Sequence, residues 1–411
     1  MELARSGIAT PRASVYRSGS DVAARGIPVR IAHVCLSCFY IDGYAYQENE
    51  LVRQHVQDGH QVMVIASTES FGADRCLTYV EPSSYQGRDG APVTRLPYRR
   101  LLPHKLMRKL RMHPGVRELL QQFRPEVILF HGLCGWELHA VARYKRENPD
   151  VRLYVDSHED AHNSARSFLS RVLLHKLYYS WIIRRCRRSF DKILCVSLET
   201  MDFVRQSYGV PASDLEFFPL GGRVFDDPEY DVRRDRGRQA AGVDTGQVML
   251  LQTGKMGRRK KLLESLRAFS CTPGSHLRLV LAGSLDEDIR IEAQRLIASD
   301  ERVRFLGWKD TDELNDLLCA ADVYVQPGTQ SATMQMSLCA RCPVILDAVP
   351  SHVPFLDGNG WSVSDSRDLA RAFMEVASDP AALGVKAGRS LEIARRLLDY
   401  RTLAARLTRA A

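Results

Sequence analysis

The sequence predicts an α/β protein made of two doubly wound parallel-sheet domains that face each other across a cleft. Three observations predict it. The 411 residues exceed what one hydrophobic core usually supports. Short, near-continuous apolar runs alternate with longer helix-like stretches, as in a parallel sheet covered on both faces. That rhythm stops at a polar stretch near the middle of the chain and then restarts.

In chain order, residues 1–27 are rich in Ser, Arg, Ala and Gly without hydrophobic periodicity and read as a disordered arm. Strands are expected at VRIAHVCL, HQVMVIAS, EVILFHG, VRLYVDSH and DKILCVS, with ENELVRQHVQDG as the helix between the first two. These define a first domain over residues 28–218. A linker is expected at Pro219 to Thr245, rich in Gly, Asp and Arg. The second domain, residues 219–385, then repeats the pattern with QVMLLQTG, LRLVLAGS, VRFLGW, DVYVQPG and PVILDA. Ligands of open α/β sheets bind at the carboxyl ends of the strands, so the site is expected between the halves.

With 45% hydrophobic and 26% charged residues the chain has the composition of a globular protein. Its formal net charge of +8 favours an anionic partner: nucleotide phosphates, acidic glycans or an anionic membrane face. Nucleic acid fits that charge too, but no recognition module or stacking motif accompanies it, so nucleic acid is not expected as a partner. No apolar run reaches the ~20 residues that span a bilayer. The N-terminus has no apolar centre of a secretory signal, and a cytoplasmic protein is expected. Ten scattered cysteines, many in apolar segments such as Cys195 and Cys319, read as reduced core thiols. The pairs Cys35/Cys38 and Cys339/Cys342 would make a zinc site only if distant segments met, and no metal site is expected.

The cluster richest in chemistry is LLQTGKMGRRKKLLESLRAF. A strand ending at Thr253 and Gly254 leads to a loop with Lys255, Arg258, Arg259, Lys260 and Lys261, and a helix follows. Ammonium groups beside a helix N-terminus stabilise a pyrophosphate twice over; otherwise the run is a solvated basic turn. A strand, Gly254, the base Lys255, a short loop and the base Lys260 six positions after the glycine resemble the donor-phosphate loop of the GT-4 family of retaining GT-B glycosyltransferases, whose two domains are Rossmann-like. The resemblance implies that Lys255 and Lys260 hold the diphosphate of a nucleotide-sugar donor. They would do the work a metal does in other transferases, with no other cofactor.

Further tracts follow in the family's order. Asp42, Gly43 and Tyr44 stand in the loop after the first strand, where the family usually carries two glycines and this chain has only Gly43. Gly43 would let backbone approach a phosphate or sugar, although Asp-Gly is also a favoured turn. His158, just past a strand and flanked by Asp156, Glu159 and Asp160, matches the family histidine facing the reacting sugar. The role implied is a hydrogen bond that orients the ring. His131, at the end of the preceding strand, is a second candidate. Gly307 and Trp308 match the strand end that frames the nucleotide base, unless the indole is core.

One tract departs from the pattern. The family carries two glutamates eight residues apart, the second of which receives ribose hydroxyls; VQPGTQSATMQMSLCARCPVI has neither. Gln330 and Gln335 are the nearest polar substitutes, without the charge that strengthens a carboxylate's hydrogen bonds. Thr329, Ser331 and Thr333 sit at an expected helix start, as N-caps or around a phosphate.

Two basic amphipathic stretches, residues 96–119 and 170–190, would suit an anionic membrane face and a glycan or lipid-linked acceptor, or would simply pack on a core. The family's final helix, here within residues 386–411, often packs back on the first domain. The expected function is metal-independent transfer of a sugar from a nucleotide sugar to an acceptor, with retention. The missing glutamates motivate the alternative of a non-catalytic partner or scaffold protein of glycan assembly.

Overall fold

In the computed structural model, residues 27–72, 76–159 and 177–409 are described. Residues 1–26 of the expected arm, Asp160, residues 170–176 of the second basic stretch and the last two residues lie outside them.

The first sheet has eight strands: β1 (Arg30–Cys35), β2 (Gln61–Ser67), β5 (Ser83–Gln86), β6 (Pro92–Leu96), β7 (Val127–Phe130), β8 (Arg152–Ser157), β9 (Lys192–Cys195) and β10 (Leu215–Phe217). A separate antiparallel pair is β3 (Glu69–Phe71) and β4 (Leu77–Tyr79). The order is β10-β9-β8-β7-β1-β2-β6-β5, parallel except where β5 meets β6. The sequence order reverses between β1 and β7, and the cleft opens there at the strands' carboxyl ends. β1, β7 and β8 are nearly continuous buried runs, because helices cover both faces.

The second sheet is wholly parallel: β11 (Val248–Met256), β12 (Leu277–Leu285), β13 (Val303–Phe305), β14 (Val323–Gln326), β15 (Val344–Asp347) and β16 (Gly360–Val363), in the order β13-β12-β11-β14-β15-β16. The protein is thus an α/β chain of two Rossmann-like sheets, the GT-B arrangement.

The stretch expected as a linker is mostly a helix, Asp227–Ala241. The Asp226 side chain caps it and Gly242, at φ 60°, ends it. It packs on the helix Thr311–Ala320 through Arg233 to Asp316, while Arg234 and Arg238 reach Asp322. Its arginines are therefore partners of a facing acidic row.

The chain passes between the two halves twice, at Phe218–Phe225 and at Leu398–Tyr400, and the passages are pinned together. Gly222 N–H donates to the Leu398 carbonyl at 2.9 Å. The helix Ala382–Leu397 belongs to the second core, into which Ile393 and Ala394 pack. The last helix, Tyr400–Thr408, buries Leu403, Ala404 and Leu407 against Leu51, Leu129 and Leu194 of the first half. Arg152 ties its end by donating to the Thr408 carbonyl at 2.9 Å.

Candidate functional site

β8 carries Asp156 into the sheet interior and delivers His158 one residue past its end. Asp156 is buried. Its Oδ2 lies 2.5 Å from His131 Nδ1, and its Oδ1 accepts the Gly132 N–H at 2.7 Å. His158 Nε2 stands 3.7 Å from Oδ1 and has no hydrogen-bond partner among the described residues. Burial opposes ionisation of Asp156, but His131 and His158 outweigh it and hold the carboxyl far below its ordinary range. Burial likewise disfavours charge on His131, yet the Asp156 carboxylate raises its pKa to about 10. His158 is raised for the same reason, against its own desolvation.

His131 was expected as a cleft residue. It is wholly buried in the structure, with Asp156 as the carboxylate it contacts. Glu159, beside His158, is pushed up by burial to about 7 and receives the Tyr208 hydroxyl at 2.6 Å.

His158 lines a cavity of about 360 Å³ together with Tyr46, Glu48, Gly221, Ala332 and Met336. The last two lie on the helix Ala332–Cys339 of the second half, so the cavity is shared by both halves. A neighbouring cavity of about 470 Å³ takes in Gly43, Tyr44, Asn315 and Tyr400. Gly43 occupies a turn closed by Tyr44 N–H to the Ile41 carbonyl, at φ 79°, where a side chain is strained. Asp42 is engaged with the Arg88 N–H at 2.8 Å. The Tyr44 ring rests against Tyr46 and Phe71, which gives this rim an aromatic face.

On the other side, β11 runs past the expected end at Gly254 to Met256, because β12 stays paired with it as far as Leu285. Lys255 is therefore a strand residue; its ammonium is largely exposed, 3.7 Å from Asp286. Arg258–Lys260 form a single 3₁₀ turn before the helix Leu262–Ser270. Lys260 Nζ donates to the carbonyls of Thr329 at 2.7 Å and Gln330 at 3.3 Å. Two of its three protons thus clamp the 327–331 loop, leaving one for a ligand. Burial lowers its pKa to about 8.

Of the three expected caps, Ser331 is the cap: its Oγ receives the Met334 N–H at 3.3 Å. Thr333 lies inside the helix and Thr329 outside it. Ser331 also donates to Gln326, whose amide reaches the Thr329 carbonyl and whose Oε1 receives the Tyr324 hydroxyl. Gln330 is half-buried, and Gln335 is buried, its Oε1 lacking a partner among the described residues. The Gly307 carbonyl accepts the Gly283 N–H at 2.8 Å. Trp308 is exposed, which removes the core reading of that indole. Lys255, Lys260, Gly307, Trp308 and Gln335 line neither of the two shared cavities; they lie at the end of β11 or on the segments that follow β11, β13 and β14.

Sequence reasoning missed several residues of this region. Gln326, the hub of the loop, followed three apolar residues in a strand with nothing to mark it. Glu48 was hidden in a helix start. His33 and His55 did leave a signal: each places an imidazole at a position its pattern reserves for the core.

The basic stretch at residues 96–119 is two short helices, His104–Leu110 and Val116–Phe123, not one amphipathic helix. Arg111, with positive φ, and Pro114-Gly115 break it. In the second stretch, Ile182, Ile183 and Cys186 of the helix Ser180–Cys186 pack into the first core. Among the described residues no helix is long and apolar enough to cross a membrane.

Residues 42–221 match the Glycosyl transferase 4-like domain, and residues 247–379 match Glycosyl transferases group 1. No curated protein matches the chain by sequence. Among solved structures it is similar to sucrose-phosphate synthase from Thermosynechococcus elongatus, with TM-score 0.62 and 16% identity over 92% of this chain and 97% of that one. It is also similar to Anabaena HepE in complex with UDP, with TM-score 0.62 and 15% identity over 92% and 98%. WaaG, a glycosyltransferase involved in lipopolysaccharide biosynthesis, gives TM-score 0.58 and 17% identity over 92% and 100%. At such identities these likenesses speak to the fold; the two domain matches, which together take in well over half of the residues, place the chain in the group 1, GT4-like family of GT-B glycosyltransferases.

Proposed function

We propose that this glycosyltransferase moves a sugar from a nucleoside-diphosphate donor to a glycan or lipid-linked acceptor, with retention at the anomeric carbon and without a metal. The observation that carries the reading is the shared cavity. It sets His158, backed by the Asp156 carboxylate, against the start of the helix Ala332–Cys339. In that position His158 can hydrogen-bond a donor sugar hydroxyl and hold the ring as charge develops at the anomeric carbon.

The donor diphosphate would lie at the carboxyl ends of the second sheet, between Lys255 and Lys260 and the helix that follows. Their charge, with that helix terminus, would take the place of a divalent cation. Gln335, with its unpartnered Oε1, would receive a ribose hydroxyl, and Trp308 would border the base. Uridine is the base we assign first, because HepE, of similar fold, is seen with UDP. Residues 28–218 would serve the acceptor, whose sugar would meet the aromatic rim of Tyr44 and Tyr46. Residues 219–385 would serve the donor.

The acceptor would be offered at the cytoplasmic face of an anionic membrane. Exposed Leu101, Leu102 and Leu106 stand beside exposed Arg99, Arg100 and Lys105 on the first half, a mixture suited to anionic lipid. Thermal stabilisation by UDP-, GDP-, ADP- and TDP-sugars tests the donor. One nucleotide should shift the transition, and Lys260→Ala should lose the shift; no shift with any of them at millimolar concentration sinks the reading.

A further inference from the structure

Behind His158 runs a line of buried imidazoles that makes no direct contact with the shared cavity. It starts on the last helix. His55 Nε2, on the helix Gln47–Gln57, lies 3.3 Å from the Ala404 carbonyl. His55 Nδ1 lies 3.0 Å from His33 Nε2, and His33 Nδ1 lies 3.0 Å from His131 Nε2. His131 Nδ1 then meets Asp156, and Asp156 faces His158. His33, His55 and His131 are all fully buried.

The polarity of this line follows from its two ends. A carbonyl oxygen only accepts, so the proton between His55 and Ala404 sits on Nε2. Burial drives the His55 pKa down to about 3, so the ring is neutral and its Nδ1 must accept. His33 therefore carries its proton on Nε2. Burial lowers its pKa too, with His55 and His131 adding to the effect, so its Nδ1 accepts in turn. His131 must then donate from Nε2. At the far end a carboxylate that already receives the Gly132 N–H accepts from His131 Nδ1 as well. Both nitrogens of His131 carry protons.

We propose that His55, His33 and His131 form one polarised hydrogen-bond chain, anchored at the Ala404 carbonyl, that keeps His131 doubly protonated and thereby holds Asp156 as the carboxylate that aims His158. These three are positioning residues, and their link to catalysis rests on the function proposed above. The chain ties the seat of the last helix to the reacting sugar's partner. Outside the chain itself, the titratable groups around His131 are Cys35 on β1, Glu48 at the start of the helix Gln47–Gln57 and His158, and Asp156 on β8 is the carboxylate in contact. Among the described residues His33 is the base that meets its Nε2 proton.

Nitrogen-15 NMR of the full-length protein, labelled at histidine, tests the assignment at pH 8. His131 should show two protonated nitrogens, and His33 and His55 the neutral form protonated at Nε2. In His33→Phe, which leaves the His131 Nε2 proton without an acceptor, the doubly protonated signal should be lost. In His33→Gln, whose amide can both accept and donate, it should persist. A neutral His131 in the unmodified protein overturns the proposal even if no variant folds. So does a doubly protonated His131 that is indifferent to His33→Phe. Where transfer is measurable, His33→Phe should lower kcat with little change in donor KM. Absence of transfer in the unmodified protein would strike the proposed function and leave the tautomer result standing.

Discussion

Replacing Asp156 by Asn should abolish one component of the protein's pH-dependent stability and leave the rest. The substituted amide keeps an oxygen for the Gly132 N–H and can donate its NH₂ to a neutral His131, so the packing survives while the charge pair goes. In the unmodified protein the His131 pKa rises from 6.5 to about 10, with burial opposing and Asp156 prevailing. A pKa raised on folding contributes stability that is full below the unfolded value and is lost as pH climbs through the folded one. Between pH 7 and pH 9 the loss from one such group is about 2.5 kcal/mol. For a half of this size, each kcal/mol moves the midpoint by about 2–4 °C, so the fall is about 5–10 °C. Scanning calorimetry of both proteins at the two pH values provides the assay. Glu159 and Lys260 also titrate in this range, but they do so in both proteins and cancel in the comparison; His158, raised by the same carboxylate, loses its shift together with His131 and adds to the difference with the same sign. Equal pH dependence in Asp156→Asn and the unmodified protein would refute the ion-pair reasoning.

Other perturbations probe the remaining joints. Lys260 has a pKa lowered to about 8 by burial, so its charge is lost as pH rises through that value; nucleotide affinity should weaken by up to about tenfold from pH 7 to pH 9 in titration calorimetry, and a flat profile would remove Lys260 from the phosphate. Leu403→Ala empties part of the last helix's seat and should cost about 2–5 kcal/mol by denaturant unfolding; a cost under about 1 kcal/mol would mean the helix is loosely held. Gly221→Ala brings a methyl within 2.5 Å of the Tyr400 ring, at the passage between the halves, and should destabilise by about 1–3 kcal/mol, whereas a neutral result would show that the ring yields freely. Gln335→Leu should leave the ligand-free melting point nearly unchanged, since Oε1 has no partner among the described residues to lose, but shrink the nucleotide-induced shift; an unaltered shift would place the ribose elsewhere.

How far the sequence reveals this molecule depends on how local the signal is. The central strands of both sheets are four to nine residues long and carry apolar stretches, and burial on two faces writes that pattern directly into composition. The edge strands β4 and β5 are exposed along most of their length, so nothing apolar marks them. The helix Asp227–Ala241 was obscured by its arginines, which look solvated until the facing Asp316 and Asp322 are seen, although Asp226 and Gly242 signposted its ends. At the site, His158 and the basic turn could be picked out from their places at strand ends. That Lys260 clamps the 327–331 loop depends on a partner 69 residues away. The link from His33 to His131 joins residues 98 positions apart, and only the folded sheet brings them together.

The most direct test of the account is the release of nucleoside diphosphate from a panel of nucleotide sugars by the unmodified protein and by His158→Ala. One donor should be turned over, with His158→Ala slower by about 100-fold or more while still showing the donor's thermal shift, since the histidine orients the sugar and the second half holds the diphosphate. Undiminished turnover in His158→Ala, or no turnover and no binding of any nucleotide sugar, would contradict it.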